Sequence, residues 1–153
     1  MTVTSVLPDV QMFLDRKHGL YLDGQWVDSS VQTRLPVFNP ATGKVLSSVA
    51  DAGFDDVQHA VASAKRSFDK GVWRDMRPSE RERILLRLAD LVERDAEILA
   101  QLETLEQGQS ITLSRMLEAG GAQSWIRYVA GLATKITGQS LDVSIAMPPG
   151  ARY

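Results

Sequence analysis

The 153 residues suffice for about one domain, and 44% hydrophobic with 24% charged residues is ordinary for a globular protein. A net charge of −2 favours neither a nucleic-acid-binding nor an anionic-membrane-binding surface. The absence of cysteine excludes disulfide bonds, thiolate metal sites and a cysteine nucleophile in this chain. No run reaches the ~18 apolar residues of a membrane span and no secretory signal opens the chain, so we expect a cytoplasmic location.

The first third of the sequence predicts one short helix and four strands. Residues 10–18 place apolar side chains on one side of a helix, and Gly19 is a typical helix stop. Residues 20–27, LYLDGQWV, predict a hairpin because both residues of the central Asp-Gly pair tolerate a positive φ. Two further strands, 35–38 and 44–50, are predicted on either side of the turn sequence NPATG at 39–43.

Two amphipathic helices are predicted next. The first covers residues 53–70, and its apolar residues are spaced by three or four: Phe54, Val57, Val61, Ala64 and Phe68. The second begins either with Pro78 as its first helical residue or with a Ser79 cap that Glu82 closes. Its predicted buried side consists of Ile84, Leu85, Leu88, Leu91 and Val92. Asp90 and Arg94 have the spacing of an i,i+4 ion pair.

A third helix is expected between a cap at Asp95 and a stop at Gly108. Ser110 is the expected cap of a fourth, which extends to about residue 135, bends at the glycine pair 120–121 and stops at Gly138. Residues 141–145 alternate apolar and polar side chains, which predicts a half-buried strand.

The residues alone indicate little catalytic chemistry. His59 falls on the polar side of its helix and His18 near the end of another, and both are interpreted as structural. The glycine pair 120–121 lies within a helical pattern, so it is not a dinucleotide-binding loop. Leu117, Gly121 and Trp125 share one face of an α-helix at i, i+4, i+8, a spacing that core packing alone would explain.

An ordered set of motifs resembles the NAD(P)-dependent aldehyde dehydrogenase family from about Phe13 to Tyr153. The set comprises LYLDGQW at 20–26, NPATG at 39–43, LETL at 102–105 with Gly108, and RY with AG at 127–131. Within the family, FLDR at 13–16, ERERILLR at 80–87 and PGARY at 149–153 resemble the phenylacetaldehyde dehydrogenases. This resemblance implies an α/β fold whose segment here is mostly helical, with N-terminal hairpins and a C-terminal strand.

The resemblance also implies an organisation and a reaction. Residues 1–135 correspond to the helical and hairpin part of the NAD-binding domain, and 136–153 to the first bridging strands of the oligomerisation domain. Members oxidise aldehydes with NAD or NADP, through a cysteine thiolate and a water-activating glutamate, and form dimers or tetramers. These catalytic and cofactor-binding groups correspond to positions beyond Tyr153, so we expect no catalytic or cofactor-binding residue in this chain and no activity from it alone.

Two peripheral sites are carried over by resemblance. Glu106, with backbone carbonyls near Val37 and Phe38, corresponds to a structural alkali-cation site, although the family more often has aspartate at this position. Leu117, Gly121 and Trp125 correspond to positions that line the substrate tunnel, where glycine would leave room for an aryl ring. The alternative function is a non-catalytic truncated product that associates with full-length subunits through its terminal strands.

Overall fold

The computed structural model describes residues 5–139, so the predicted strand at 141–145 lies outside the described residues. The described part is mostly helical and carries two separate two-stranded antiparallel sheets, which confirms the predicted architecture. The elements in chain order are α1 (Pro8–Leu14), β1 (Leu20–Leu22), β2 (Gln25–Val27), β3 (Arg34–Asn39), β4 (Lys44–Ala50), α2 (Phe54–Asp69), α3 (Pro78–Arg94), α4 (Ala96–Gln107), α5 (Ile111–Leu113), a π-helix (Ser114–Ala119) and α6 (Gly120–Leu132).

Helix α1 is shorter than predicted, because it ends at Leu14. Val10 is fully buried, and the backbone N–H of Leu7 donates to Gln101 Oε1 at 3.0 Å, which holds α1 against α4. His18 therefore lies outside the helix. Its expected place at the end of a helix is therefore wrong, and its carbonyl oxygen accepts hydrogen bonds from Ala50 N–H and from the Arg34 guanidinium.

The β1–β2 hairpin forms as predicted. Asp23 has φ 51° and Gly24 φ 80°, the two consecutive positive φ values of a type I′ turn. The Asp23 carboxylate accepts hydrogen bonds from Ser63 Oγ and from Arg66, both at 2.9 Å, and these bonds lower the pKa of Asp23. The turn is thereby tethered to α2.

The β3–β4 turn is held against the end of α4. Asn39 Oδ1 accepts the N–H of Ala41 at 2.9 Å, and Gly43 closes the turn with φ 68°. Gly108 ends α4 with φ 81°, as predicted, and a Cβ added to it would lie 2.8 Å from the Cγ of Pro40. Glycine at residue 108 therefore permits both the left-handed backbone and the close approach of α4 to the turn.

The N-terminus of α2 is organised by Asp56, a feature that the periodicity did not reveal. Its carboxylate accepts hydrogen bonds from Ser29 Oγ at 2.8 Å, from the N–H and hydroxyl of Ser30, and from Gly53 N–H at 2.9 Å. Asp56 thus joins the loop before β3 to the first turn of α2. The predicted apolar side of α2 is exposed in the described structure, with Phe54 at 75% and Phe68 at 70% exposure.

Helix α3 begins with Pro78 as its first residue, the first of the two alternatives, and Glu80 accepts the N–H of Arg77 at 3.2 Å. The predicted Asp90–Arg94 pair is wrong. Asp90 instead pairs with Arg127 of α6 at 2.9 Å, because α6 packs against this side of α3 and Arg127 also reaches Glu93. Ile84 and Leu88 are exposed, so the prediction that they belong to the buried side of α3 is wrong.

Asp95 precedes α4 but does not cap it through its side chain. Its carboxylate instead binds the Arg94 guanidinium at 2.8 and 2.7 Å, a geometry that uses both oxygens. The predicted cap at Ser110 is confirmed, since its Oγ accepts the N–H of Leu113 at 3.4 Å. α6 ends at Leu132 rather than near residue 135, and the i,i+3 bond from Lys135 N–H to the Leu132 carbonyl tightens the exit of the chain.

We predict that Gly108→Ala destabilises the fold more than Gly43→Ala. Both substitutions place a side chain at a positive φ, which costs about 1–2 kcal/mol. Only the alanine at residue 108 also meets Pro40, since a Cβ at Gly43 has nothing within 4 Å. Urea unfolding measures the two free energies. Equal losses would show that the α4–turn contact tolerates a methyl group, and Gly108→Ala combined with Pro40→Ala should recover the excess loss.

We predict that Asp56 makes stability depend on pH between about 4 and 2. Its hydrogen bonds lower its pKa from 3.8 to about 2, with the bond from Ser29 contributing most. Its contribution is therefore complete above the unfolded-state pKa and is lost as the pH falls through the folded-state pKa. Asp56→Asn should lower the melting temperature at neutral pH and flatten this part of the profile, which thermal unfolding between pH 7 and pH 2 measures.

The control for Asp56 is its neighbour Asp55, which lies in the same helical turn and is exposed. Asp55→Asn retains every hydrogen bond of the Asp56 network and matches the change in charge near the helix N-terminus. If the two variants have the same melting temperatures across this range, the network does not contribute to stability as inferred.

Candidate functional site

Glu106 and Val37, two of the three residues of the expected cation site, line one surface depression of about 400 Å³. The depression lies between α1, the start of β1, the β3–β4 sheet and the last turns of α4. Glu106 follows Leu102 by four residues, so both project from one side of α4 into the depression. The structure therefore places Glu106 of α4 and Val37 of β3 around the same depression.

Phe38, the third expected residue, does not line this depression and is 52% exposed. The β3–β4 register shifts between Val37 and Phe38, where the pairs Val37–Ser47 and Phe38–Val45 leave Leu46 as the additional residue. Such an irregularity disrupts the regular ladder and redirects backbone groups. The ladder is thus interrupted at the residues whose carbonyls were expected to bind the cation.

The lining of this depression is mostly apolar, and Glu106 supplies its one carboxylate. A carboxylate is the kind of hard oxygen ligand that hard cations prefer. Among residues 5–139, no group of three or more histidine, cysteine, aspartate and glutamate side chains is placed to hold a metal ion.

The second expected site is an exposed face of α6. Trp125 is 67% exposed, and its ring meets the ring of Tyr128 edge to face at a centroid distance of 5.8 Å. Both border a shallow cavity of about 350 Å³ together with Ser124. A Cβ built at Gly121, one turn before Trp125, has nothing within 4 Å. Core packing within the described residues therefore does not account for this face.

Leu117 does not lie in the regular α-helix that its spacing argument assumed. It lies in the π-helix, which separates it from the regular turns of α6, and it is 54% exposed. The backbone N–H of Gly120 donates to the carbonyl of Arg115, five residues earlier. Gly121 and Trp125 lie within α6 at the predicted i,i+4 spacing, whereas Leu117 lies in the π-helix that precedes it.

Sequence reasoning missed Tyr128 and the π-helix. Tyr128 follows Trp125 by three residues and could have been placed beside it by helical spacing. The π-helix has no comparable signal in the sequence pattern, and its first residues contact α4. Gly120 and Gly121 are helical, as predicted, and they form no phosphate-binding loop between a strand and a helix.

His59, expected on the polar side of α2, is exposed. The described residues thus include an exposed aromatic face on α6 and a mostly apolar depression that contains one carboxylate. No helix within residues 5–139 is long and apolar enough to span a membrane.

Comparison with known proteins gives this arrangement a context. The profile of the aldehyde dehydrogenase family matches residues 26–151. The chain is 46% identical to phenylacetaldehyde dehydrogenase of Pseudomonas fluorescens over 152 residues, covering 99% of this chain and 30% of that protein. It is 43% identical to an aldehyde dehydrogenase of Aspergillus niger, covering 82% of this chain and 25% of that protein.

Solved structures show the same fold. The NAD+ complex of aldehyde dehydrogenase from Bacillus cereus superposes with a TM-score of 0.83 at 34% identity, covering 92% of this chain and 28% of that one. Betaine aldehyde dehydrogenase from Staphylococcus aureus with NAD+ gives 0.80 at 28% identity, covering 90% and 27%. The chain thus spans less than a third of the length of these relatives. With the family profile matching most of its residues, the chain belongs to the aldehyde dehydrogenase family.

Proposed function

We propose that this chain is the N-terminal portion of an NAD-dependent enzyme that oxidises phenylacetaldehyde to phenylacetate. The observation that carries the proposal is 46% identity to a phenylacetaldehyde dehydrogenase across 99% of the chain. In this reaction the aldehyde carbon gains an oxygen from water, and the hydride that leaves it reduces NAD+ to NADH.

In this proposal the chain contributes binding surface to the enzyme but none of the groups that react. It has no cysteine, and its described residues form no dinucleotide-binding loop, so the thiolate and the cofactor site belong to the part of a relative's length that this chain does not cover. Residues 1–135 serve as the helical and hairpin part of the NAD-binding domain, and 136–153 begin the bridging strands. We expect the 153-residue chain alone to be inactive, and the complete enzyme to be a homo-oligomer.

The exposed face of α6 serves as one wall of the substrate tunnel. Gly121 leaves open space beside Trp125, and an aryl ring placed there would meet the indole and phenol rings in the offset or edge-to-face arrangements that aromatic groups favour. A small aliphatic aldehyde would fill little of this space. The wall therefore favours arylacetaldehydes.

We predict that Gly121→Met in the complete enzyme reduces kcat/KM for phenylacetaldehyde by at least roughly 10–200-fold, the range for a single methylene group in a hydrophobic pocket. The value for acetaldehyde should change less than threefold, on the order of a general effect on binding. Steady-state NADH formation with both substrates measures this. Ala122→Met, one position along the same helix, is the control for an added methionine. Equal losses for the two aldehydes with Gly121→Met would contradict a tunnel role.

The depression beside Glu106 serves as a structural cation site in this proposal. We predict that replacing choline chloride with sodium or potassium chloride at equal ionic strength raises the melting temperature, because an ion that binds only the folded state stabilises it. Glu106→Gln should abolish this rise and Glu103→Gln, one turn earlier on α4, should retain it. A rise that persists in Glu106→Gln would place the cation elsewhere.

A second candidate is a short product that associates with full-length subunits. The exposed apolar side of α2, with Phe54 and Phe68 at its two ends, favours this possibility because such a surface usually contacts another protein surface. The two candidates separate when the reading frame that contains the chain is sequenced beyond the codon for Tyr153 and its product is assayed. Phenylacetaldehyde-dependent NADH formation supports the enzyme, whereas a stop codon and co-purification with complete subunits support the short product.

A further inference from the structure

The π-helix at Ser114–Ala119 lies immediately before the face of α6 that carries Gly121 and Trp125. A π-turn holds one more residue than an α-turn, since its hydrogen bonds join residues five apart. One residue corresponds to about 100° of rotation in an α-helix. The π-helix therefore sets the rotation of α6 about its own axis relative to α4 and α5.

Two contacts hold the beginning of the π-helix against α4. Thr104 Oγ1 donates to Ser114 Oγ at 3.0 Å, with Thr104 at 7% and Ser114 at 0% exposure. Arg115 binds both carboxylate oxygens of Glu97 at 2.8 and 2.7 Å. The ion pair between Arg115 and Glu97 is exposed and therefore contributes little to stability. The buried hydroxyls of Thr104 and Ser114 cannot replace their hydrogen bond with one to water.

The C-terminal end of the π-helix leaves little room for a side chain. Gly120 N–H donates to the Arg115 carbonyl, and a Cβ added at Gly120 would lie 3.0 Å from that oxygen. A methyl group at Gly120 would press on the hydrogen bond that closes the π-turn. Gly121, its neighbour, has open space at the same position.

We propose that Thr104 and Ser114 are positioning residues for aldehyde specificity: their buried hydrogen bond fixes the start of the π-helix and so sets the rotation at which α6 presents Gly121 and Trp125. The proposal rests on the assignment of that face to the substrate tunnel. Neither hydroxyl contacts the aldehyde. Their effect is transmitted by the backbone of the π-helix, so it changes the recognition of a bulky aryl group more than it changes the chemistry.

The test is the ratio of kcat/KM for phenylacetaldehyde to that for acetaldehyde in the complete enzyme. Ser114→Ala leaves the Thr104 hydroxyl buried without its partner. It should lower the ratio by up to about a hundredfold, mainly through KM for phenylacetaldehyde, as a displacement of about 1 Å can. Thr104→Ser keeps the hydroxyl and should retain the native ratio. A purely structural role would lower the melting temperature and leave the ratio unchanged, which would overturn the proposal.

The double variant Thr104→Val with Ser114→Ala separates stability from positioning. Replacing both partners with apolar groups of similar shape restores most of the stability that one unpaired hydroxyl removes. We expect the double variant to regain the melting temperature and keep the lowered ratio. A native ratio in the double variant would show that the hydrogen bond does not set specificity.

A crystal structure of the double variant distinguishes a failure of this inference from a failure of the proposed function. We expect the acceptor of the Gly120 N–H to change from the Arg115 carbonyl to that of Met116, the α-helical partner. If the acceptor is still Arg115, the hydroxyl pair does not hold the π-helix and the inference is wrong. If the acceptor changes but the native enzyme does not oxidise phenylacetaldehyde, the proposed substrate is wrong and the inference about the π-helix stands.

Discussion

The described structure depends on the close packing of one helix, α4, against the elements that precede and follow it. Gln101 binds the backbone of α1, Gly108 meets the turn between β3 and β4, and Thr104 binds the π-helix. Small residues make this possible, because Ala100 and Ala119 form the buried cluster with Ile111 and leave little side-chain volume between the backbones. Both candidate sites are built on this helix, one at its C-terminal turn and one through the π-helix.

The elements that were predicted correctly are those determined by residues close together in the sequence. A pair such as Asp23-Gly24 specifies its turn through the φ values that the two residues tolerate, and Gly108 ends α4 for the same reason. Pro78 begins α3 because proline needs no hydrogen-bond acceptor in the first helical turn. These signals operate within a few residues, so they do not require knowledge of the rest of the fold.

The predictions that failed depend on contacts between residues far apart in the sequence. Asp90 was expected to pair with Arg94 along its own helix, yet it pairs with Arg127, 37 positions later in the chain, because α6 presents a guanidinium between two carboxylates of α3. The apolar periodicity of α2 located the helix correctly but did not say what covers its apolar side. Helical periodicity identifies a face and leaves its partner open. The candidate site at Glu106 and Val37 likewise depends on how α4 meets β3, which the sequence motifs indicate only through the family resemblance.

The π-helix shows why residue identity alone does not define the α6 face. In the proposed enzyme, Gly121 provides space for an aryl ring only if its side of α6 faces the substrate, and Leu117 lies in the π-helix rather than in a regular α-helix. Under the proposed tunnel role, specificity in this segment is a property of backbone rotation as much as of side-chain size. Since we infer that buried contacts such as that between Thr104 and Ser114 set this rotation, we expect that two relatives with the same residues on this face can differ in the aldehydes they accept. Residues remote from the substrate then belong in any comparison of specificity within the family.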